Sequence, residues 1–216
     1  MNTQSGLSSR VGAVVLAAGA SSRMGQPKAL LAHRDGRSFL RATCESLESA
    51  GLVPIVVVLG HHRALLEQEL HSFARPPRIA VNPAPDRGQL SSICTGLDAL
   101  RGDVPSALVA LVDQPTLNPR VLSLLIEGAV NAPDAVHLPL CKGVRGHPAI
   151  FPTALGSEFV HAKPDWSARE LIAAFGIRVC EYGVDAPDVL VDLDTPEELA
   201  AWRAEHESAQ MITEVR

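Results

Sequence analysis

Between Val14 and Leu31 the chain reads VVLAAGASSRMGQPKALL, an apolar run that breaks into small residues and closes on two cations. Small side chains at Ala17, Ala18, Gly19, Ala20, Ser21 and Ser22 let backbone N–H groups approach phosphate oxygens, and Arg23 and Lys28 add positive charge beside them. With Leu16 leading into it, this loop is a candidate cradle for a triphosphate. Two commoner phosphate loops do not fit. A Walker loop requires Gly-Lys-Ser/Thr, whereas Lys28 stands between Pro27 and Ala29, and the dinucleotide fingerprint requires two glycines that Ala17 to Ser22 lacks.

Carboxylates appear where such a loop needs them. Ala107 to Val112 reads as a buried strand and runs directly into Asp113, which places this carboxylate at a strand's C-terminal end. Ligands of open α/β sheets bind at that edge, so Asp113 and the Gly19 loop are expected to share one crevice. Magnesium favours hard oxygen ligands and sits between one or two carboxylates and substrate phosphates, a role open to Asp113. Near the end of the chain, VDLDTPEEL supplies a second acidic pair. Asp194, three residues before Glu197, is read as the N-cap of a helix over Glu197 to Glu205. Asp192 has no such structural duty and is the preferred second magnesium ligand, with Asp194 as the substitute.

Two more segments carry polar groups. In NPAPDRGQLSS, Asn82, Gly88, Ser91 and Ser92 are candidate nucleotide contacts, although Ser and Asp also serve turns and caps. In CKGVRGHPAIF, Arg145 and His147 sit around Gly146, as candidates to hold the phosphate of an acceptor molecule; a hairpin with an exposed arginine would look similar. His61 and His62 are read as helix-start residues, and the histidines show no metal-ligand spacing.

These residues need a scaffold, and apolar runs alternate with segments of helical period, the pattern of a mostly parallel sheet covered on both faces. Strands are expected at Val11 to Ala17, Pro54 to Leu59, Arg78 to Val81 and Ala107 to Val112. Helices are expected from about Phe39 to Ala50, capped by Gly51, and at His62 to Ser72 and Leu90 to Leu100. Another should start at Asn118-Pro119, and one at Ala168 to Phe175 behind a Ser167–Glu170 capping box. With 216 residues and 46% hydrophobic content the chain can bury a full core, read as one domain over 11–207 between tails at 1–10 and 208–216. A net charge of −5 excludes a general affinity for nucleic acid or acidic membranes. Four cysteines lying 39 or more residues apart suit a reducing cytoplasm, and no apolar run approaches the roughly 18 residues of a membrane span. A soluble, cytoplasmic protein is expected.

Taken together, LAAGASSRMGQPK at 16–28, NPAPDRGQLSSICTGL at 82–97, LVDQP at 111–115, RGHPAIF at 145–151 and DLDTPEEL at 192–199 resemble the molybdenum cofactor cytidylyltransferases, the MocA-like branch of the MobA-like NTP transferases. That resemblance implies a single three-layer, Rossmann-like α/β domain of the nucleotide-diphospho-sugar transferase type. It also implies magnesium-dependent transfer of CMP from CTP to the terminal phosphate of the molybdopterin cofactor, with a molybdenum enzyme as a possible recipient. The loop residues Ala17-Ala18-Gly19 lean toward cytosine, since guanylyl-transferring relatives usually have two glycines there. Transfer to another phosphorylated acceptor, and a non-catalytic molybdopterin holder, are the alternatives.

Overall fold

The structure is a computed structural model that describes residues 10–163 and 166–214, with the side chains of 159–161 and 206–214 left aside. Eight strands form one sheet: β1 (Val11–Ala17), β2 (Ile55–Leu59), β3 (Arg78–Val81), β4 (Ser106–Leu111), β5 (Val136–Cys141), β6 (Val144–Arg145), β7 (Ala149–Pro152) and β8 (Val179–Gly183). The order is β3-β2-β1-β4-β7-β5, with β6 and β8 also paired to β5. β1 is parallel to β2 and β4, and β2 to β3. β7 enters antiparallel between β4 and β5, while β8 runs parallel to β5. Only β6 and β7 therefore run against the rest, as expected for a mostly parallel sheet.

Alternation along β1 builds two cores. Val11, Ala13, Val15 and Ala17 face α1 (Phe39–Ser49), α2 (Arg63–His71) and α4 (Pro119–Asn131), whereas Val14, Leu16 and Ala18 face α3 (Gln89–Leu100) and α5 (Ala168–Ala174). Every residue of β1 is buried, which is why this strand is a continuous apolar run. Helix α3 lies unusually close to the sheet because Gly96 has no side chain. A Cβ there would stand 2.3 Å from Val14 Cγ1.

The helix starts follow their sequence signals. Ser38 Oγ accepts from the Arg41 N–H, Asn118 accepts from Arg120 and Val121, and the Ser167 N–H donates to Glu170. Strands β5 and β8 carry no clear sequence signal. Pro139 interrupts β5, yet its carbonyl accepts from Gly146 at the bend between β6 and β7, so its missing N–H falls where the ladder is already broken.

The last helix, α6 (Pro196–Glu214), begins at the sheet's carboxyl edge and runs beyond Glu205, the end expected for this helix, and beyond residue 207 into the stretch expected as a C-terminal tail. Residues 1–9 of the expected N-terminal tail lie outside the described residues. Leu193, Leu199 and Trp202 join Met24, Leu31 and Phe39 in a third, separate cluster. This cluster staples the C-terminal segment to the loop after β1. The Arg203 guanidinium adds a hydrogen bond to the Ala32 carbonyl. Among the described residues no helix is long and apolar enough to cross a membrane.

Candidate active site

The loops after β1, β2, β3 and β4 all emerge at one edge, and between them lies a cleft of about 320 Å³. Leu16, Ala17, Ala18, Gly19, Ser22, Arg23 and Lys28 line one wall, Gly88, Gln89 and Ser92 the other, and Asp113 the end. The β1 loop is folded tightly on itself. Ser21 takes a left-handed conformation at φ 50°, and its Oγ accepts from the Lys28 N–H at 3.1 Å. Ala18 is held against Gly60, where a Cβ would come within 2.5 Å of the Ala18 carbonyl oxygen. The His62 ring contacts the Ala20 carbonyl through Nε2 at 2.9 Å.

Lys28 is the hub. Its ammonium donates to Asp113 Oδ2 at 2.9 Å and to Asp194 Oδ1 at 2.5 Å, while the other Asp194 oxygen meets Arg23 at 2.7 Å. Burial acts to lower the Lys28 pKa, but hydrogen bonds and charge from Asp194 and Asp113 outweigh it and leave the pKa raised, so the lysine stays charged. The Leu193 N–H donates to the Asp113 carbonyl at 3.0 Å, which sets Asp192 and Asp194 on either side of that junction.

The structure corrects the reading of Asp194. The capping box of α6 falls one residue later than expected: Thr195 Oγ1 accepts from the Glu198 N–H, and Glu198 Oε2 accepts from the N–H groups of Asp194 and Thr195. Glu198, not Glu197, is the reciprocal partner, and the Asp194 carboxylate is released to bind Lys28 and Arg23.

Asp192 is raised to about 6 by burial and by the neighbouring charges of Asp113 and Asp194, and it lies close enough to Asp113 to share a proton. Its folded pKa is above the ordinary carboxylate value, so the native protein takes up a proton as pH falls through about 6, and stability is lost as pH rises through that range. Asp192→Asn is therefore expected to raise the thermal midpoint at pH 7.5 without divalent metal and to raise it less at pH 5. Thermal unfolding at both pH values checks this; an unchanged or lower midpoint at pH 7.5 would show that Asp192 is not under repulsion. Among the described residues no three His, Cys, Asp or Glu side chains are grouped so as to hold a metal ion by themselves. Asp113 and Asp192 offer two neighbouring hard-oxygen carboxylates, the number a magnesium ion commonly takes from protein when substrate phosphates supply further ligands.

Other expected contacts separate. Asn82 and Ser91 are buried and saturated inside the protein, a correction to their expected role. Asn82 Nδ2 donates to Ser91 and Ser92 at 2.8 and 2.9 Å, its Oδ1 accepts from the Ala84 N–H, and the Ser91 hydroxyl turns to the Ala84 and Gly88 carbonyls. They shape the loop while Gly88 and Ser92 reach the cleft. Arg145 is likewise corrected: it pairs with Glu181 across β5 at 2.6 Å and does not join His147. His147 is near enough to Asp113 to feel its charge but is not among the residues that line the cleft. Burial lowers its pKa against that charge, and its Nδ1 has no partner among the described residues.

His62 and Gln89 are cleft residues that the sequence did not single out. The available signal was positional, since every loop following a parallel strand here opens at the same edge.

Residues 13–179 match the MobA-like NTP transferase domain. The chain belongs to that family. Among family relatives, the nicotine blue oxidoreductase of Paenarthrobacter nicotinovorans is 35% identical over 66% of this chain and 71% of its own length. A probable molybdenum cofactor guanylyltransferase of Bacillus cereus is 31% identical over 62% of this chain, which spans just under two thirds of it, 64%. The molybdenum cofactor cytidylyltransferase of Escherichia coli K12 is 25% identical over 88% of this chain and 94% of its own. A nucleotidyl transferase from Methanothermobacter thermautotroptrophicus superposes with a TM-score of 0.75 at 25% identity, over 92% of this chain and 98% of its own. Family membership makes the protein a nucleotidyltransferase by fold and by signature loop.

Proposed function

We propose that the protein transfers CMP from CTP to the terminal phosphate of the molybdopterin cofactor and releases pyrophosphate, with Mg²⁺ bound by Asp113 and Asp192. The observation that carries this reading is Lys28, held at the mouth of a phosphate loop between Asp113 and Asp194. An anionic acceptor oxygen attacks the α-phosphorus in line, the bond to the β-phosphate bridging oxygen breaks, and pyrophosphate departs with that electron pair. No strong general base is needed, so catalysis consists of positioning and charge neutralisation. Lys28 and Arg23 face the charge that grows on the leaving group. Asp113 and Asp192 would hold the metal, which would supply Lewis-acid stabilisation of the charge at the reacting phosphate. His147, kept neutral by burial near Asp113 and with its Nδ1 unpartnered among the described residues, is the acceptor-side candidate although it stands outside the cleft lining.

Cytosine is supported by one feature: the cytidylyltransferase relative aligns along nearly the whole of both chains. The Ser92 hydroxyl accepts from the Asn82 amide and lines the cleft, where it can donate to an acceptor on any base. A second reading, an oxidoreductase, is favoured by the name of the Paenarthrobacter relative.

Thermal stabilisation by CTP, GTP, ATP, UTP, NADH and NADPH, with and without Mg²⁺, separates these. A ligand at about 100 times its Kd adds roughly 2.7 kcal/mol, a midpoint shift of roughly 5–10 °C for a domain of this size. A shift with CTP and Mg²⁺, followed by pyrophosphate release on adding molybdopterin, is expected. A GTP preference moves the reading to guanylyl transfer, and a response to NADH or NADPH alone overturns it in favour of the oxidoreductase.

A further inference from the structure

We infer that His62 is a positioning residue of the phosphate loop, which it locks in the anion-binding form by holding the Ala20 carbonyl; this rests on the nucleotidyltransferase reading. Every residue of such a loop brings a carbonyl oxygen along with its N–H. A loop that is to cradle phosphate must therefore dispose of its oxygens, since each one turned to the ligand repels it.

Two oxygens of this loop find backbone donors. Ala18 accepts from the His61 N–H at 3.3 Å, and Ser21 accepts from the Met24 N–H at 3.1 Å. The Ala20 carbonyl between them has no backbone donor among the described residues, and its partner is the His62 side chain, through Nε2 at 2.9 Å, from 42 positions away. A carbonyl only accepts, so Nε2 carries the proton whether the ring is neutral or charged.

This one bond fixes more than an oxygen. A trans peptide is planar, with its C=O and N–H pointing opposite ways, so holding the Ala20 oxygen also sets the direction of the Ser21 N–H. Ser21 is left-handed at φ 50° and leads into the right-handed turn Ser22–Met24, the backbone form of an anion-binding nest. The N–H groups of Gly19, Ala20, Ser21 and Ser22 have no partner among the described residues, and all four residues line the cleft. Without the imidazole, the Ala20–Ser21 peptide is free to flip, which exchanges a nest N–H for a carbonyl oxygen.

His62 can hold the loop because its own place is fixed. The Arg63 N–H donates to the Gly60 carbonyl and the Leu66 N–H to the His62 carbonyl, which starts α2, and Leu66 and Leu70 anchor that helix in the core. The ring thus stands on the first turn of a packed helix and reaches across to a loop that carries no side chain able to do the same work.

Three variants separate the donor from the ring. His62→Phe keeps a ring and removes the donor, His62→Gln keeps a donor at similar reach, and His62→Ala removes both. Calorimetric titration with inorganic tripolyphosphate in excess Mg²⁺ reads the loop alone, beside the thermal midpoint of each unliganded protein. The Phe and Ala variants should bind about tenfold or more weakly, the worth of one hydrogen bond to a charged group. The Gln variant should stay within about threefold of the wild type, and all three midpoints should remain close to it.

Wild-type affinity in the Phe and Ala variants overturns the inference. So does a loss that the Gln variant shares in full, or one that follows a fall in the midpoint, since either marks a merely structural ring. If the wild type binds neither Mg–tripolyphosphate nor Mg–CTP, the nucleotidyltransferase reading itself fails and the inference with it.

Discussion

Lys28→Ala is expected to lower kcat by about 10²- to 10³-fold, the range seen when one preorganised donor to developing charge is removed, while the Kd for Mg–CTP changes far less. The asymmetry follows from geometry. In the resting site the ammonium is already satisfied by two carboxylates, so its interaction with ground-state nucleotide replaces existing bonds instead of adding to them. Only when charge accumulates on the departing pyrophosphate does the lysine gain. An interaction stronger in the transition state than in the ground state appears in kcat. Single-turnover pyrophosphate release paired with equilibrium nucleotide binding separates the two quantities. An unchanged kcat would remove Lys28 from the leaving-group role.

Asp113→Asn is expected to reduce metal-supported turnover by at least about 10³-fold, since one change removes both a candidate metal ligand and the second partner of Lys28. The substitution is conservative for folding, because Asp113 contributes its backbone carbonyl to Leu193 irrespective of its side chain. Direct Mn²⁺ binding, followed by electron paramagnetic resonance, should weaken in parallel. Full activity with undiminished Mn²⁺ affinity would dismiss Asp113 as a ligand.

The parallel half of the sheet was legible because buried parallel strands are unbroken apolar runs, as in β1 and β2. The phosphate loop was legible for a different reason: its small residues and two cations lie within one short segment. What escaped was non-local. Arg145 was assigned by its neighbours Gly143 and Gly146, yet its partner Glu181 comes from a strand on the far side of β5, a pairing that no local pattern encodes. Asn82 was a plausible base reader until its donors and acceptor were found to be consumed within the loop. The capping box was misplaced by one residue because DLDTPEEL contains two acceptable N-caps, Asp194 and Thr195. The choice between them is made by the tertiary attraction of Asp194 to Lys28 and Arg23, not by helix chemistry.

The third hydrophobic cluster also fixes when the site comes into being. Lys28 and Asp194 are 166 positions apart, and Met24, Leu31 and Phe39 wait for Leu193, Leu199 and Trp202 to cover them. At about 5–20 residues per second of synthesis, the phosphate loop emerges on the order of ten seconds before the segment that completes its electrostatics. Asp113 follows Lys28 by 85 positions and can join it first, whereas Asp194 cannot, so the charge pairing of the folded site is completed last, when the closing helix docks.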